Sequence, residues 1–184
     1  MTPEPVELAK AYRLINHGPT VLVSSAHGGR RNVMAAAWNM ALDFTPAKVC
    51  VVIDKTTFSR GLIEASGEFV LNVPARAQAA QVLAMGRVSG RDGDKFDALD
   101  LPTLPAAKVA APLLAGCLGW LECRVIPEPH NQQAYDLFIG EVIAAWADPR
   151  AFTKGHWRAE APPSLHYIAG GAFFATGEAF EVAG

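Results

Sequence analysis

Apolar residues along this chain fall mostly into short runs separated by glycine, proline and polar turns. Thr20 to Ser25 contains Val21, Leu22 and Val23, which favour extended backbone, and reads as a strand. His27-Gly28-Gly29-Arg30 is a turn signal, because glycine takes positive φ without steric cost. Asn32 to Ala41 follows as the return strand of a hairpin. Its alanines are poor strand formers, which suggests that something approaches the backbone there. Lys48 to Asp54 is a β-branched run typical of a buried strand, and Glu68 to Val73 is another, closed by Pro74. Gly119 to Ile126 and Ala134 to Ala147 alternate and read as an antiparallel pair, with Pro127 to Asn131 as their turn. One more short strand is expected around Gly170-Gly171.

Three segments read as helices. Glu7 to Ile15 forms a leading one, stopped by Asn16-His17-Gly18-Pro19. Ser59 looks like the N-cap of a second through Ala65, ended by Ser66-Gly67. Ala75 to Met85 is alanine-rich and stops at Gly86. Thr103 to Leu114, broken by Pro105 and Pro112, is expected to be a loop with a short strand. About six or seven strands with two or three inserted helices favour a closed or split antiparallel barrel. A doubly wound fold needs regular β-α alternation and an early glycine fingerprint, and the sequence has neither.

Composition narrows the function classes. The hydrophobic fraction of 51% is enough for a real core, and residues 1–184 are expected to form one domain. The net charge of −2 and the absence of a basic cluster argue against nucleic acid or an anionic membrane as partner. The densest basic pair, Arg30-Arg31, reads as a solvated hairpin tip. No apolar run reaches the ~18 residues of a membrane helix, and the N-terminus lacks a secretory pattern. Cys50, Cys117 and Cys123 form no framework, which fits a reducing, cytoplasmic setting. The five histidines make no metal motif, and Asp54 and Glu64 stand as carboxylates with nothing to single them out.

Two segments carry anion chemistry. Lys55 ends a buried strand, and Thr57 and Ser59 offer hydroxyls where a helix begins, so that helix amides and a lysine converge on one place. The same residues also fit an ordinary serine cap beside a surface lysine. Ser89-Gly90-Arg91-Asp92-Gly93-Asp94-Lys95 joins glycine amides to Arg91 and Lys95. It also fits a polar loop after a helix. Asn32-Val33-Met34-Ala35-Ala36-Ala37-Trp38 would present backbone donors and acceptors along a strand edge, with room for a flat ring. Packing of these residues into a sheet face is the competing reading.

In this order, Asn32 to Trp38, Lys55 to Ser59, Glu68 to Pro74, Ser89-Gly90-Arg91 with Asp94-Lys95-Phe96, and Phe138 to Val142 resemble the flavin reductase-like, FMN-binding split-barrel family, in its flavoredoxin and ferric-reductase-like branch. The resemblance implies a mainly β fold with inserted helices, a Greek-key split barrel, as a homodimer with one FMN per subunit near the interface. It implies that Asn32, Val33, Met34, Ala35, Ala36, Ala37 and Trp38 lie beside the flavin ring. Lys55, Thr57 and Ser59 would hold the phosphate, with Ser89, Gly90 and Lys95. It further implies electron transfer from NAD(P)H through FMN to a flavin, a ferric chelate or another acceptor, with no catalytic acid or base. An FMN-binding electron carrier without NAD(P)H turnover and a cofactor-free interaction barrel are the alternatives. Asp136 stands where some family members carry a histidine, which weakens transfer of their nicotinamide site.

Overall fold

A computed structural model describes residues 5–15 and 18–182. A 3₁₀ turn over Leu8–Leu14 stands where the leading helix is predicted; Asn16 and His17 lie outside the described residues. The strands and helices then run β1 (Val21–His27), β2 (Arg30–Ala36), β3 (Asn39–Phe44), β4 (Ala47–Val52), α1 (Phe58–Ser66), β5 (Glu68–Val73) and α2 (Ala79–Arg87). The second half comprises α3 (Lys95–Ala98), β6 (Thr103–Leu104), β7 (Leu113–Leu114), β8 (Gly119–Ile126), α4 (Pro129–Ala134) and β9 (Leu137–Ala147). Three of the short strand pairs stand apart from the main sheet: β6 with β7, β10 (Phe152–Thr153) with β11 (His156–Trp157), and β12 (Leu165–Ala169) with β13 (Ala172–Ala175).

Seven strands form one antiparallel sheet in the order β2-β1-β5-β8-β9-β4-β3. Side-chain parity shows that this sheet is rolled. Val21 and Val23 of β1 share one buried cluster with Val49 and Val51 of β4, although three strands separate β1 from β4 in the sheet order. Phe69 and Leu71 of β5, Cys123 of β8 and Phe138 of β9 fill the same interior. Their intervening neighbours Leu22, Val70 and Trp120 face outward into a second cluster, under Val82 and Met85 of α2 and Phe96 of α3. A period of two puts alternate residues on opposite faces, and here both faces are covered. Gly140 makes the barrel interior possible, since a Cβ there would lie 2.6 Å from Phe69 Cζ.

The sheet order begins with β2 and ends with β3, which are consecutive in the chain. The split of the barrel therefore falls at the Ala37-Trp38 step between them. This corrects the expectation of one strand over Asn32 to Ala41: β2 stops at Ala36 and β3 starts at Asn39. Asn39 stabilises the break by donating from Nδ2 to Pro19 O (2.7 Å). Other expectations shift in detail. The N-cap of α1 is Thr57, not Ser59, and Gly67 ends the helix with φ +70°. The predicted turn over Pro127 to Asn131 is largely helix α4, with proline at its first position, so β9 starts at Leu137 rather than Ala134. Gly170-Gly171 is the turn of the β12–β13 hairpin rather than a strand.

Candidate functional site

Two neighbouring clefts open where β2, β4 and α1 meet. The larger, about 780 Å³, is lined on one side by Met34, Ala35, Ala36, Ala37 and Trp38, and on the other by α2 and the β12–β13 hairpin. Asp54 lines this cleft, and the next residue, Lys55, lines the second, about 460 Å³, with Thr57, Arg60, Gly61 and Arg91.

The backbone at the wall of the larger cleft follows from the register. Because β2 is an edge strand, residues paired outward have no strand to bind. Val33 O points away from β1, since it accepts from Lys95 Nζ (2.9 Å). Groups two residues apart in a strand point the same way, so the amide and carbonyl of Ala35 lie on the same outer edge. Within β2 the expected strip therefore comes down to the backbone of Ala35, since Lys95 occupies Val33 O and the strand ends at Ala36. Trp38 is half-exposed, not a core residue.

The smaller cleft sits at the N-terminus of α1. Thr57 makes no side-chain cap; its Oγ1 donates to Asp54 O (2.8 Å). No acidic residue occupies the first turn to offset the free amides and partial positive charge of the helix, and Lys55 lines the same cleft. Arg60 closes the cleft from beneath. The residue is 7% exposed, and its guanidinium donates to Glu64 (2.8 Å), Asp136 (2.5 Å), Ile53 O (3.2 Å) and Gln132 O (2.7 Å). Burial works against its charge, but Glu64 and Asp136 outweigh it and hold its pKa above the ordinary arginine value. Arg60 thereby links the two clefts, since Asp136 lines the larger one with φ +56°. Asp54 and Glu64 do not pair: Asp54 accepts from Thr56 N (2.7 Å) and Oγ1 (2.6 Å).

The remaining candidates stand behind the clefts. Asn32 is buried and donates from Nδ2 to Ser59 Oγ (2.9 Å), tying β2 to α1; Ser59 itself is fully buried. Val33 belongs to the outer core cluster. Gly90 is buried against Asn32 and Phe58; a Cβ there would come within 2.3 Å of Asn32 Oδ1 and 2.6 Å of Phe58 Cδ1. Ser89 is half-buried and accepts the Arg91 amide (3.2 Å). Lys95 is 5% exposed, and its Nζ donates to Val33 O and to Met85 O (2.8 Å), so burial pushes its pKa below that of a free lysine. Arg30 is exposed at the hairpin tip as expected and Arg31 is half-buried, but both are also engaged. Arg30 stacks on Phe58 at 4.3 Å and donates to Gly90 O, while Arg31 pairs with Asp94 (2.7 Å) and Asp97 (2.8 Å).

Arg60, Arg87 and the aromatic residues Tyr135, Tyr167 and Phe173 line the clefts but escaped the sequence reading. Only Arg60 left a trace, one position beyond the supposed cap. Among the described residues no group of histidine, cysteine and carboxylate side chains is arranged to hold a metal, and no helix is long and apolar enough to cross a membrane. Burial pushes the Cys117 and Cys123 thiols up to about 12, which removes them as nucleophiles near neutral pH.

The chain belongs to the family of flavin reductase like domains, whose model matches residues 12–172. Its fold is the split barrel of that family. A crystal structure of an FMN-binding domain of a flavin reductases-like enzyme from Shewanella baltica OS155 is 53% identical, with a TM-score of 0.85 over 97% of this chain and 96% of that one. The flavoredoxin of Desulfovibrio vulgaris (Miyazaki F) is 25% identical, with a TM-score of 0.85 over 100% and 97%. The Escherichia coli K12 protein YddH is 42% identical over 179 residues, covering 95% of both chains.

Proposed function

We propose that this chain is an FMN-dependent oxidoreductase that passes electrons from NAD(P)H to a flavin, ferric or other acceptor. The observation that carries the reading is the pair of adjoining clefts: a flat one along the free edge of β2, and a cationic one at the uncapped start of α1. A flavin ring and its phosphate need such a pair, and the 53% identical FMN-binding domain supports the same cofactor here. The outward amide and carbonyl of Ala35 would hydrogen-bond the ring edge, and the alanine side chains leave it space. Lys55, Arg91 and the first amides of α1 would hold the phosphate, joined by Thr57 once its hydroxyl turns from Asp54 O to the ligand. Asn32, Ser59, Gly90 and Lys95 would act one layer behind, fixing β2 against α1 and α2. FMN, when bound, supplies the redox chemistry. The protein orients it and needs no acid or base of its own.

The whole chain would serve as one flavin-binding domain in the cytoplasm, in keeping with its three free cysteines. A homodimer is supported by edge strand β3, where Met40 (59%), Leu42 (47%) and Phe44 (91%) stand exposed beside Trp38. The likeness to a flavoredoxin favours one second reading, an electron carrier reduced by a partner protein. The deciding experiment is an absorbance spectrum of the FMN-loaded protein before and after anaerobic NADPH or NADH. Bleaching by either nucleotide supports the reductase; a persistent oxidised spectrum points to the carrier. Failure to retain FMN would remove both readings.

A further inference from the structure

We propose that the β12–β13 hairpin and the last turn of α2 form a second binding subsite in the larger cleft, one that takes a planar aromatic carboxylate. The inference rests on the FMN reading, because it assigns the sheet-edge side of the cleft to the flavin and the opposite side to this second ligand.

The hairpin is a fixed wall. It lies outside the seven-stranded sheet, yet Thr20 N donates to Leu165 O (2.8 Å), Tyr167 N donates to Thr20 Oγ1 (2.9 Å), and Leu165 is 1% exposed in the outer core. The turn packs on α2: a Cβ on Gly171 would meet Leu83 Cδ2 at 3.3 Å, and the φ of +95° suits glycine alone.

Tyr167 and Phe173 are direct register partners, with ring centroids 5.4 Å apart and planes at 65°. Both are half-buried and both line the cleft. An edge-to-face pair at a cleft wall offers one ring face to a further aromatic group. Charge is divided across the cleft. Asp54 and Asp136 line the side of the β4 and β9 ends, where Arg60 holds Asp136. Arg87, in the last turn of α2, lines the hairpin side, and among the described residues it makes no ion pair. A ligand lying on the aromatic pair therefore meets a cation. The 780 Å³ volume lies in the upper part of the ~300–1,000 Å³ range that encloses whole drug-sized ligands, so it holds more than one flat ring.

The test uses the FMN-loaded protein and three probes: benzoate, benzamide and cyclohexanecarboxylate. Each is titrated while the absorbance of bound FMN is followed, with calorimetry as the second readout. Benzoate is expected to perturb the flavin spectrum saturably and to bind about tenfold tighter than benzamide, which lacks the charge, or cyclohexanecarboxylate, which lacks the ring. Phe173→Leu keeps apolar bulk and should weaken benzoate about three- to tenfold while leaving cyclohexanecarboxylate unchanged. Tyr167→Phe keeps the ring and should retain benzoate binding; melting curves check that both variants fold. Arg87→Gln should weaken benzoate about tenfold and leave benzamide unaffected. Equal binding of the three probes, or no response of the loaded protein to benzoate, would overturn the subsite while leaving the FMN reading intact. So would an Arg87→Gln variant that alters NADPH affinity but not benzoate affinity. Failure to take up FMN, seen before any probe is added, would remove both.

Discussion

Lys95→Met separates a lysine that binds a ligand from one that holds the fold. The native Nζ donates to Val33 O at 2.9 Å and Met85 O at 2.8 Å, and so fastens the outer edge of β2 to α2. Hydrogen bonds to a charged donor contribute about 1.5–3 kcal/mol each, and methionine would leave both carbonyls unsatisfied in a 5% exposed site. Relief from burying an ammonium offsets part of this, giving a net loss of about 2–4 kcal/mol. For a chain of this size that corresponds to a fall in melting temperature of about 4–16 °C. The pH dependence has a definite sign. Burial lowers the folded pKa below the free value of 10.5, so the unfolded chain binds more protons in that window. Wild-type stability should therefore gain a rising component as pH climbs towards 10.5, and the variant should lack it. FMN and riboflavin affinities should fall together in Lys95→Met, within about twofold of each other. Lys55→Met should instead weaken FMN about tenfold and leave riboflavin nearly unchanged, since its lysine lines the cleft at α1. A Lys95→Met variant with unchanged melting and a selective loss of FMN would refute the reasoning and make Lys95 a phosphate ligand.

Three further outcomes are expected. Glu122 is buried in the outer face, where burial would raise its pKa, but the Ala107, Lys108 and Val109 amides and Trp146 Nε1 outweigh this and hold it below 4.5. Its stabilisation should be complete above pH 4.5 and lost as pH falls through the lowered folded value; Glu122→Gln should cost about 2–4 kcal/mol at neutral pH in denaturant unfolding and remove that acid-side loss. Gly90→Ala would force a Cβ against Asn32 and Phe58, so a destabilisation of about 1–3 kcal/mol and weaker FMN binding are expected from melting and titration. Met40→Glu places a charge on the exposed apolar edge of β3; if the proposed homodimer forms through that edge, sedimentation should show wild type as dimer and the variant as monomer, without loss of folded signal.

Much of the barrel was legible because a strand states its own geometry. Val21, Val23, Phe69 and Leu71 alternate with Leu22 and Val70, and the parity that separates the two core clusters is already present in the sequence. The break at Ala37-Trp38 was not legible, since a run of small residues has no period to lose. The α4 helix was hidden for a different reason: Pro127 and Pro129 mark a turn and a helix start equally well. The wall of the larger cleft opposite β2 was beyond reach. Val82, Leu83 and Gly86 belong to an ordinary amphipathic helix, and only tertiary packing brings them opposite β2.

The members of the candidate motifs divide by depth. Lys55 and Thr57 line a cleft, whereas Ser59 and Lys95, of the same chemical type, are 0% and 5% exposed. Sequence spacing cannot make that distinction, because it depends on which strand edge each side chain meets. The segment Ser89 to Phe96 looks like an anion loop for its glycines and cations, yet the interactions of Gly90, Asp94 and Lys95 are internal. Gly90 lets the loop close on Asn32 and Phe58, and Arg30 seals that contact from β2. Asp94 caps α3 through the Phe96 amide and pairs with Arg31, and Lys95 grips the carbonyl beside the free edge. Each of these contacts ends on β2 or on the first turns of α1 and α3. Arg91 is the member of the segment that reaches a cleft. A glycine-rich basic segment here marks the site mainly by bracing it from behind, and a substitution within it should be judged first on melting temperature and only then on ligand affinity.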